Sequence, residues 1–357
     1  MTSLNLKAAW EKTLADARAD RHYQLELRLQ DAVPQSQVLR LIGALPGVRR
    51  VEPWNILPAA VDGPGHFNIV RTYPDGGHGS FTLRSAPPLT DFVTHRVLEG
   101  RWLRPGDNGV VVLNHMARAL LPDVKVGDVI SLIVEQRPVQ VRVVGIVREM
   151  LTPAAAYATL ETFAMAIGQA GVTNAVRLAL NDPGAADAVL REAEHALARE
   201  RIGVNASITA AMFDNAQTGH VYLLIFALIF MALVMAVVGT LGLASAMSTS
   251  VIERTREFGV MRAIGATSRV VLRSVVSEGV CIGLLSWLIA IPLCLPLSGQ
   301  VGSLVGSLSF RVPLPLLLSP LAMSLWLVVA LVGSAAASAL PANRAARLTI
   351  RETLAYV

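Results

Sequence analysis

The sequence predicts an α-helical membrane protein with three transmembrane helices and an N-terminal α+β domain, in which two strand–helix–strand lobes flank a β-rich insert. Three observations lead to this class. The 357-residue chain is too apolar for an ordinary soluble protein, with a mean hydropathy of +0.51 and 16% charged residues. Its second half contains three long runs without a charged residue. Its first half instead shows short patterns typical of strands and helices.

The two strand–helix–strand units lie at opposite ends of the N-terminal domain. Each combines segments of alternating hydrophobicity with one segment of helical spacing. The first unit comprises a strand at Tyr23–Leu29, a helix at 34–45 and a strand at 47–54, and the second a strand at Ala175–Leu180, a helix at 184–200 and a strand at 202–208. Between them, Gly127–Val147 is predicted to form a two-stranded hairpin. Gly63–Gly77, with Gly and Pro at both ends, is expected to contain loops.

Each uncharged run is long enough to cross a bilayer, because a transmembrane helix needs about 20 predominantly apolar residues. The runs are Val221–Ile252, Gly279–Phe310 and Val312–Asn343. The predicted segments are a domain at 1–220 that begins with a stalk helix at 1–20, a transmembrane helix at 221–247, a cytoplasmic helix at 248–269, a transmembrane helix at 270–298, an extracytoplasmic loop at 299–317, a transmembrane helix at 318–341 and a cytoplasmic tail at 342–357.

Arginine sets the predicted orientation, because short loops rich in Lys and Arg stay in the cytoplasm. Residues 248–273 contain five arginines, whereas the link between the second and third spans contains only Arg311. The sequence therefore predicts a multi-pass protein of the bacterial cytoplasmic membrane with residues 1–220 outside. Such a domain needs a signal peptide or an earlier spanning helix, and 1–20 has the regular charges of an amphipathic helix instead. We expect a missing upstream segment; the alternative is the reverse orientation.

Residue patterns for catalysis or cofactor binding are not apparent. A P-loop needs a lysine after a glycine so that its ammonium group reaches the phosphates, and none of the three lysines follows a glycine. The seven histidines lack metal-ligand spacing, and a solvated loop explains His66 and His78 better than a metal site does. Cys281 and Cys294 are interpreted as packing residues. The sequence predicts no cofactor, no metal, no enzymatic activity and no nucleic-acid partner.

Ser248–Thr267 is the densest cluster of charge in the second half, and it is predicted to form a short amphipathic helix at the membrane surface. The hydroxyl residues at 248–250 would cap its N-terminus, and Glu253 would lie in its first turn, where the helix dipole favours an acid. The expected i,i+3 ion pairs are Glu253 with Arg256 and Arg254 with Glu257.

The apolar positions of this segment also follow a helical pattern. Val251, Phe258 and Gly265 lie seven apart on one face, with Met261 nearby, and Gly265 would permit a sharp turn into the next helix. An ordinary charged loop that only fixes topology would need arginines alone. The two glutamates, the phenylalanine and the glycines therefore favour a helix that docks on a partner.

The stretch ERTREFGVMRAIGAT, residues 253–267, closely resembles the signature of FtsX-like (MacB-type) ABC-transporter permeases, E-R-x-x-E-[FI]-G-[VI]-[ML]-R-A-[IL]-G-A. The tail PANRAARLTIRETLAY, residues 341–356, is similar to the end of that family, and so is Arg273–Gly279. These motifs cover about residues 240–357. The outer domain, through VLEGRWLRPGDNGVVVLN, resembles the periplasmic domain of the same family.

The resemblance implies a permease that forms a homo- or heterodimer in the lipid bilayer and binds a separate ABC ATPase subunit. The segment between its second and third spans is the coupling helix that docks on the ATPase, and in this chain that segment is residues 248–269. The residues that match the docking motif are Glu253, Arg254, Glu257, Phe258, Gly259, Arg262 and Gly265. The docking role of Arg256 depends on the helical pattern alone.

The chain departs from the family pattern in two respects. The first spanning helix is absent, and the centre of the next span has Trp287, Pro292 and Pro296 in place of the usual glycines, so two prolines can kink that helix. Glu278 is the acid nearest to a membrane interior, and either an interfacial pair with Arg273 or a coupling role would explain it.

Two functions fit these features. The first is the permease subunit of an ABC export or extraction system, which transmits the ATP-driven motion of a separate ATPase to its extracytoplasmic domain. The alternative is a mechanotransmission scaffold that activates an extracytoplasmic cell-wall hydrolase without moving a substrate. A membrane-anchored enzyme would require a catalytic constellation in the folded outer domain.

Overall fold

The structure is a computed structural model that describes residues 1–62 and 81–347. The loops predicted at 63–77, His66 and His78, and the last part of the predicted tail lie outside the described residues. The helices are α1 (Thr2–Ala19), α2 (Gln35–Gly43), α3 (His115–Leu120), α4 (Leu160–Ile167), α5 (Ala186–Arg199), α6 (Ala210–Glu253), α7 (Thr255–Ala263), α8 (Ser268–Phe310) and α9 (Pro320–Arg347). The strands are β1 (Leu25–Pro34), β2 (Val48–Asp62), β3 (Phe81–Ser85), β4 (Arg96–Gly100), β5 (Val110–Asn114), β6 (Val129–Val134), β7 (Arg137–Arg148), β8 (Ala154–Ala158), β9 (Val172–Leu180) and β10 (Val204–Thr209).

The described residues divide into two compact units. One contains Met1–Glu11, His220–Gly306 and the described residues from Pro313 onward, and it holds the long apolar helices. The other contains Lys12–Gly219 and Ser307–Val312, and it holds all ten strands of the described chain. The predicted fold class, three membrane helices and a mixed α+β domain, is confirmed.

The two predicted strand–helix–strand units are present as β1–α2–β2 and β9–α5–β10, and their strands interleave in one sheet. The order is β10-β1-β9-β2, and every pair is antiparallel. Alternation on β1 sends Leu25, Leu27 and Leu29 to the face that α2 and α5 cover. The apolar face of α5 contributes Val189 and Leu197 to the same core.

The β-rich insert continues this sheet, because β2 is 15 residues long and pairs with β3 and β6 beyond its contact with β9. The predicted hairpin is present as β6–β7 in antiparallel register. Before this hairpin in the chain, β5 leads directly into α3, and the Asn114 side chain accepts a hydrogen bond from the Ala117 N–H to cap α3. Together, β3, β5, β6, β7 and β8 enclose a second apolar core under α3 and α4.

Three helical segments are long and apolar enough to cross a membrane: Val221–Glu253, Ser268–Phe310 and Pro320–Ala346. The 43 residues of α8 make it about 65 Å long, roughly twice the hydrocarbon thickness of a bilayer. Pro292 and Pro296 lie inside α8 without ending it. The described residues of the predicted tail are helical as well, because α9 continues through Pro341 to Arg347.

The predicted loop at 299–317 is largely helical, since α8 continues to Phe310 and only 311–319 connect it to α9. Ser298, Gly302 and Gly306 lie four residues apart and are buried, so this part of α8 presents a continuous packing stripe. The predicted span ended at residue 298 because about 20 residues are enough to cross a bilayer, whereas α8 continues through the rest of the uncharged run to Phe310.

Candidate functional site

The junction between α6 and α7 differs from the predicted helix start at 248–250. The Ser248 hydroxyl donates to the Ala244 carbonyl over 2.8 Å, and the Thr249 hydroxyl donates to the Ser245 carbonyl over 3.3 Å. Both side chains therefore bond inside α6, which continues to Glu253, and they do not cap a new helix. The placement of Glu253 in a first helical turn was wrong, because Glu253 is the last residue of α6.

A separate helix, α7, begins at Thr255. Arg254 leaves helical geometry with φ −100° and ψ 16°, which ends α6 and precedes α7. The Thr255 hydroxyl lies 2.8 Å from the Ile252 carbonyl and 3.1 Å from the Val251 carbonyl, where it satisfies carbonyls at the end of α6. Glu257 lies in the first turn of α7, where the helix dipole favours a negative charge.

The predicted apolar face of Val251, Phe258 and Gly265 is divided in the structure, because Val251 belongs to α6 and Gly265 follows α7, while Phe258 lies on the inner face of α7. Phe258 is 2% exposed and Gly259 is also buried, while Met261 packs against the same cluster from its edge. The cluster contains Met247, Val251, Phe258, Val271, Val275, Ala342 and Ala345. It therefore joins α7 to the end of α6, the first turns of α8 and the last turns of α9.

Arg254 connects α7 to α8 through two ion pairs. Its Nε donates to Glu257 Oε2 over 2.9 Å, and its Nη1 donates to Glu278 Oε2 over 3.1 Å. The predicted pair of Arg254 with Glu257 is therefore present. Glu278 pairs with Arg254, not with Arg273, which is exposed on α8. The predicted pair of Glu253 with Arg256 is not among the ion pairs of residues 1–62 and 81–347.

Exposure limits the energy of these two pairs, because all three side chains of the Arg254 group are more than one-third exposed. Their effect is positional: they fix the charged face of α7 relative to the side of α8. At the other end of α7, Arg262 Nη1 donates to the Ala346 carbonyl over 3.3 Å, close to the C-terminus of α9. A cation at that terminus also agrees with the helix dipole.

The turn after α7 forms at Gly265, as predicted. Its φ of +102° lies in a region that L side chains rarely adopt. The Gly265 N–H donates to the Arg262 carbonyl over 3.0 Å, and the Ala266 N–H donates to the Met261 carbonyl over 2.9 Å. These bonds satisfy the last carbonyls of α7 and direct the chain into α8 at Ser268.

The outward face of the α6–α7–α8 junction combines charge with exposed apolar side chains. Glu253, Arg256 and Glu257 are exposed. Ile252 is 73% exposed, Val260 49% and Ile264 82%. None of these three apolar residues was among the predicted docking residues, although Val260 and Ile264 occupy apolar positions of the signature. We name this surface the α7 outer face. It consists of Ile252 and Glu253 at the end of α6, together with Arg256, Glu257, Val260 and Ile264.

A metal site is not evident among the described residues, since no group of three or more His, Cys, Asp or Glu side chains there is arranged to hold an ion. Cys281 and Cys294, both on α8, are free thiols, the first exposed and the second buried.

Comparisons with known proteins agree with the resemblance of the signature. Residues 229–350 match the family model described as FtsX-like permease C-terminal. An uncharacterized ABC transporter permease of Methanocaldococcus jannaschii is 23% identical over 218 residues, which are 59% of this chain and 54% of that protein. The chain thus spans about half the length of this curated relative. The predicted likeness to FtsX-like permeases is confirmed over the matched residues.

Two solved structures are similar to the N-terminal part of the chain. The periplasmic region of MacB from Actinobacillus actinomycetemcomitans is 15% identical with a TM-score of 0.38, and the match covers 58% of this chain and 98% of that chain. The extracellular domain of the ABC-type transporter YknZ from Gram-positive bacteria is 13% identical with a TM-score of 0.36, and the match covers 52% and 98%.

Proposed function

We propose that this FtsX-like permease chain is the membrane subunit of an ABC export or extraction system, and that a separate ABC ATPase subunit docks on the α7 outer face. The observation that carries the proposal is an amphipathic helix whose inner face is packed and whose outer face is left exposed. Phe258 is 2% exposed, whereas Ile264 at the end of the same helix is 82% exposed. Exposed apolar side chains beside charged ones are typical of protein docking surfaces.

Force applied to α7 would reach the membrane helices through the packed inner face. Phe258 contacts a cluster to which α6, α8 and α9 all contribute. Arg254 ties the start of α7 to Glu278 of α8, and Arg262 ties its end to the Ala346 carbonyl of α9. Motion of α7 alone would break these contacts. We therefore propose that α7 moves together with the adjoining ends of α6, α8 and α9 when the two ATPase subunits close on ATP.

An apolar-to-acid change on the outer face tests docking without disturbing the inner face. We expect Ile264→Asp to weaken association with the proposed ABC ATPase subunit by about tenfold to a hundredfold, as for loss of an apolar docking contact. Glu257→Arg should weaken it as well. Co-purification of the ATPase from nanodisc-reconstituted complexes, at a series of ATPase concentrations, measures the change.

The matched control is Leu89→Asp, the same kind of change at a residue that is 79% exposed and lies in the other compact unit. Leu89→Asp should leave ATPase association unchanged. Equal ATPase recovery with the native chain and with both Ile264→Asp and Glu257→Arg would contradict docking on the α7 outer face.

The proposed orientation places α7 in the cytoplasm and the unit of residues 12–219 outside the cytoplasmic membrane. Its support is the distribution of arginine, since five lie within 248–273 and one, Arg311, lies between α8 and α9. In a variant with both native cysteines replaced by serine, Glu135→Cys should react with an impermeant maleimide on intact cells. Arg256→Cys should react only after lysis. The reverse result would refute the orientation.

A further inference from the structure

The unit of residues 12–219 contains a cavity of about 370 Å³, within the size range of small-molecule pockets. Its floor is the face of β1, β9 and β10 opposite to the face covered by α2 and α5. Its walls are the end of α1, the first two turns of α6, the link before β4 and the link after β7. All of these residues lie inside one compact unit.

Charged side chains cover the floor of this cavity. The alternation that buries Leu25 and Leu27 under α2 and α5 turns Glu26 and Arg28 of β1 to the cavity side. Arg177 of β9 lies beside them and donates through Nε to Glu26 Oε2 over 2.8 Å, while Arg28 donates to Glu26 Oε1 over 2.8 Å. Two arginines thus share a single carboxylate, so this part of the floor carries a net positive charge.

The guanidinium of Arg177 is held in place by more than its ion pair. The Cζ atom of Arg177 lies 3.8 Å from the centroid of the Trp54 ring and 4.4 Å from the centroid of the Tyr23 ring. The side chain is 3% exposed, and Nη1 has no hydrogen-bond partner among the described residues. Two other lining residues, His95 and Thr152, also keep a buried polar atom without a partner in this part of the chain.

The stability of the fold alone does not explain why these charged side chains are buried at the floor of the cavity. Removing charges from water costs several kcal/mol each, and buried ion pairs are often no more stable than apolar residues of the same volume. Buried donors without partners add to this cost. Clusters of this kind in a concave site are typical of ligand binding. An acidic oxygen in the cavity would offset the surplus positive charge, and Arg28, whose side chain is 22% exposed, is the accessible cation of this group.

An apolar wall adjoins the charged floor, because Ile208 of β10 pairs directly with Glu26 of β1. Ile208 of β10 and Met212 and Phe213 of α6 line it, together with Val93 and Met150 from the links. The Arg21 guanidinium stacks 4.9 Å from the Phe213 ring centroid and also pairs with Asp214 over 2.9 Å, which fixes this wall to the end of α1. The cavity therefore offers a cationic side and an apolar side to one ligand.

We propose that this cavity binds an amphiphilic anion, with its acidic group beside Arg28 and Arg177 and its apolar part against Ile208, Met212 and Phe213. Asp20 also lines the cavity, near the end of α1, so a second negative group on the ligand would be disfavoured. The ligand would contact the first turns of α6, the helix that continues into the first candidate span. The binding test needs no ATPase, so its result does not depend on whether the proposed docking of an ATPase is correct.

A charge series on one scaffold tests the class of ligand. The full chain in nanodiscs is dialysed against 4-phenylbutanoate, 4-phenylbutanamide or 4-phenylbutylamine, with empty nanodiscs as the blank for partitioning into lipid. We expect the carboxylate to bind at least about tenfold more tightly than the amide and the amine. If 4-phenylbutanoate does not bind specifically at concentrations up to about 5 mM, the cavity holds only water and the proposal is overturned. Equal binding of all three probes would also overturn it.

A cavity-filling variant tests the location. Ile208→Trp should lower carboxylate binding at least about tenfold, whereas the control Asn205→Trp, exposed on the same strand, should bind like the native chain. If Ile208→Trp does not fold, Met212→Trp replaces it, because Met212 is 54% exposed at the rim and tolerates a larger side chain more readily. Unchanged binding in a folded filling variant would show that the probe occupies another site.

Discussion

Gly279→Leu is expected to separate α8 from α9 and to lower the free energy of unfolding of the helical unit by about 1–3 kcal/mol, as overpacking of a tight contact does. A Cβ at Gly279 would lie 1.8 Å from Ser338 Oγ and 2.8 Å from Ser338 Cβ. Ser338 is fully buried, and its hydroxyl already donates to the Ser334 carbonyl over 2.8 Å. The serine therefore cannot simply rotate away, and a leucine would force the two helices apart. Thermal unfolding of the purified chain in detergent, followed by circular dichroism, measures the loss.

Two further variants separate steric overlap from a general effect of leucine in α8. Gly299→Leu changes a glycine of the same helix where a Cβ would meet nothing within 4 Å among the described residues, so it should unfold like the native chain. Gly279→Ala should destabilise the helical unit less than Gly279→Leu does. Adding Ser338→Gly to Gly279→Ala should restore the stability of the unit, because it removes the Ser338 atoms that overlap with the new Cβ. A Gly279→Leu variant as stable as the native chain would contradict the close approach of α8 and α9.

Small residues are present in all three apolar helices, but their presence does not reveal which helices pack together. Gly239 and Gly242 are small residues of α6, yet a Cβ at either position would meet nothing within 4 Å in the described part of the chain. The closest approach is made by Gly279 and Gly283 of α8 against α9. Small residues permit close contact on any face of a helix, so the face that is used depends on tertiary structure.

In the sheet domain, the elements that the sequence analysis found are those with a clear period. Alternation on β1 and helical spacing on α5 were sufficient to predict both strand–helix–strand units. The strand β8, sequence AAAYA, was missed because every residue in it is buried, alanine has low strand propensity and no alternation remains. Its pairing with β3 and β5 is non-local and left no pattern in the sequence.

Around α7, the sequence predicted that Phe258 lies on an apolar helix face and that Gly265 forms a turn, but not where the helix begins. Ser248 and Thr249 are equally suited to cap a helix or to bond one turn back inside it, and only the continuation of α6 decides between the two. The partner of Glu278 was missed for a related reason. Arg254 is 24 residues away along the chain, and the turn between α7 and α8 brings the two side chains together.

The largest electrostatic effect is expected from Glu149, which lies at the centre of a buried hydrogen-bond network. Its Oε1 accepts from the Tyr157 hydroxyl over 2.6 Å and lies 3.5 Å from Arg84 Nη1, while its Oε2 accepts from Asn114 Nδ2 over 3.0 Å. Arg84 is 5% exposed, so its charge has little access to water. Glu149→Gln keeps the shape but removes the counter-charge, and we expect a loss of about 3–5 kcal/mol at neutral pH.

The same network predicts how stability depends on acid. Burial alone would raise the pKa of Glu149, but the charges of Arg84 and His95 and the hydrogen bonds from Tyr157 and Asn114 lower it from 4.5 to about 2. Between these two pKa values the Glu149 carboxyl group is protonated in the unfolded chain and ionised in the folded chain. Its contribution to the free energy of unfolding is therefore complete above about pH 4.5 and is lost as the pH falls towards 2. The shift corresponds to roughly 3 kcal/mol, because one pKa unit is about 1.4 kcal/mol.

Urea unfolding of the full chain between about pH 2 and pH 7 would measure both effects, since free energies of unfolding extrapolate linearly with urea. The native chain should lose stability steeply with acid, and Glu149→Gln should start lower and show a shallower acid dependence. Glu135→Gln is the matched control, because Glu135 is exposed in the turn between β6 and β7, and it should follow the native curve. Parallel curves for Glu149→Gln and the native chain would mean that Glu149 does not stay ionised in the folded domain, and that the network is held by neutral hydrogen bonds instead.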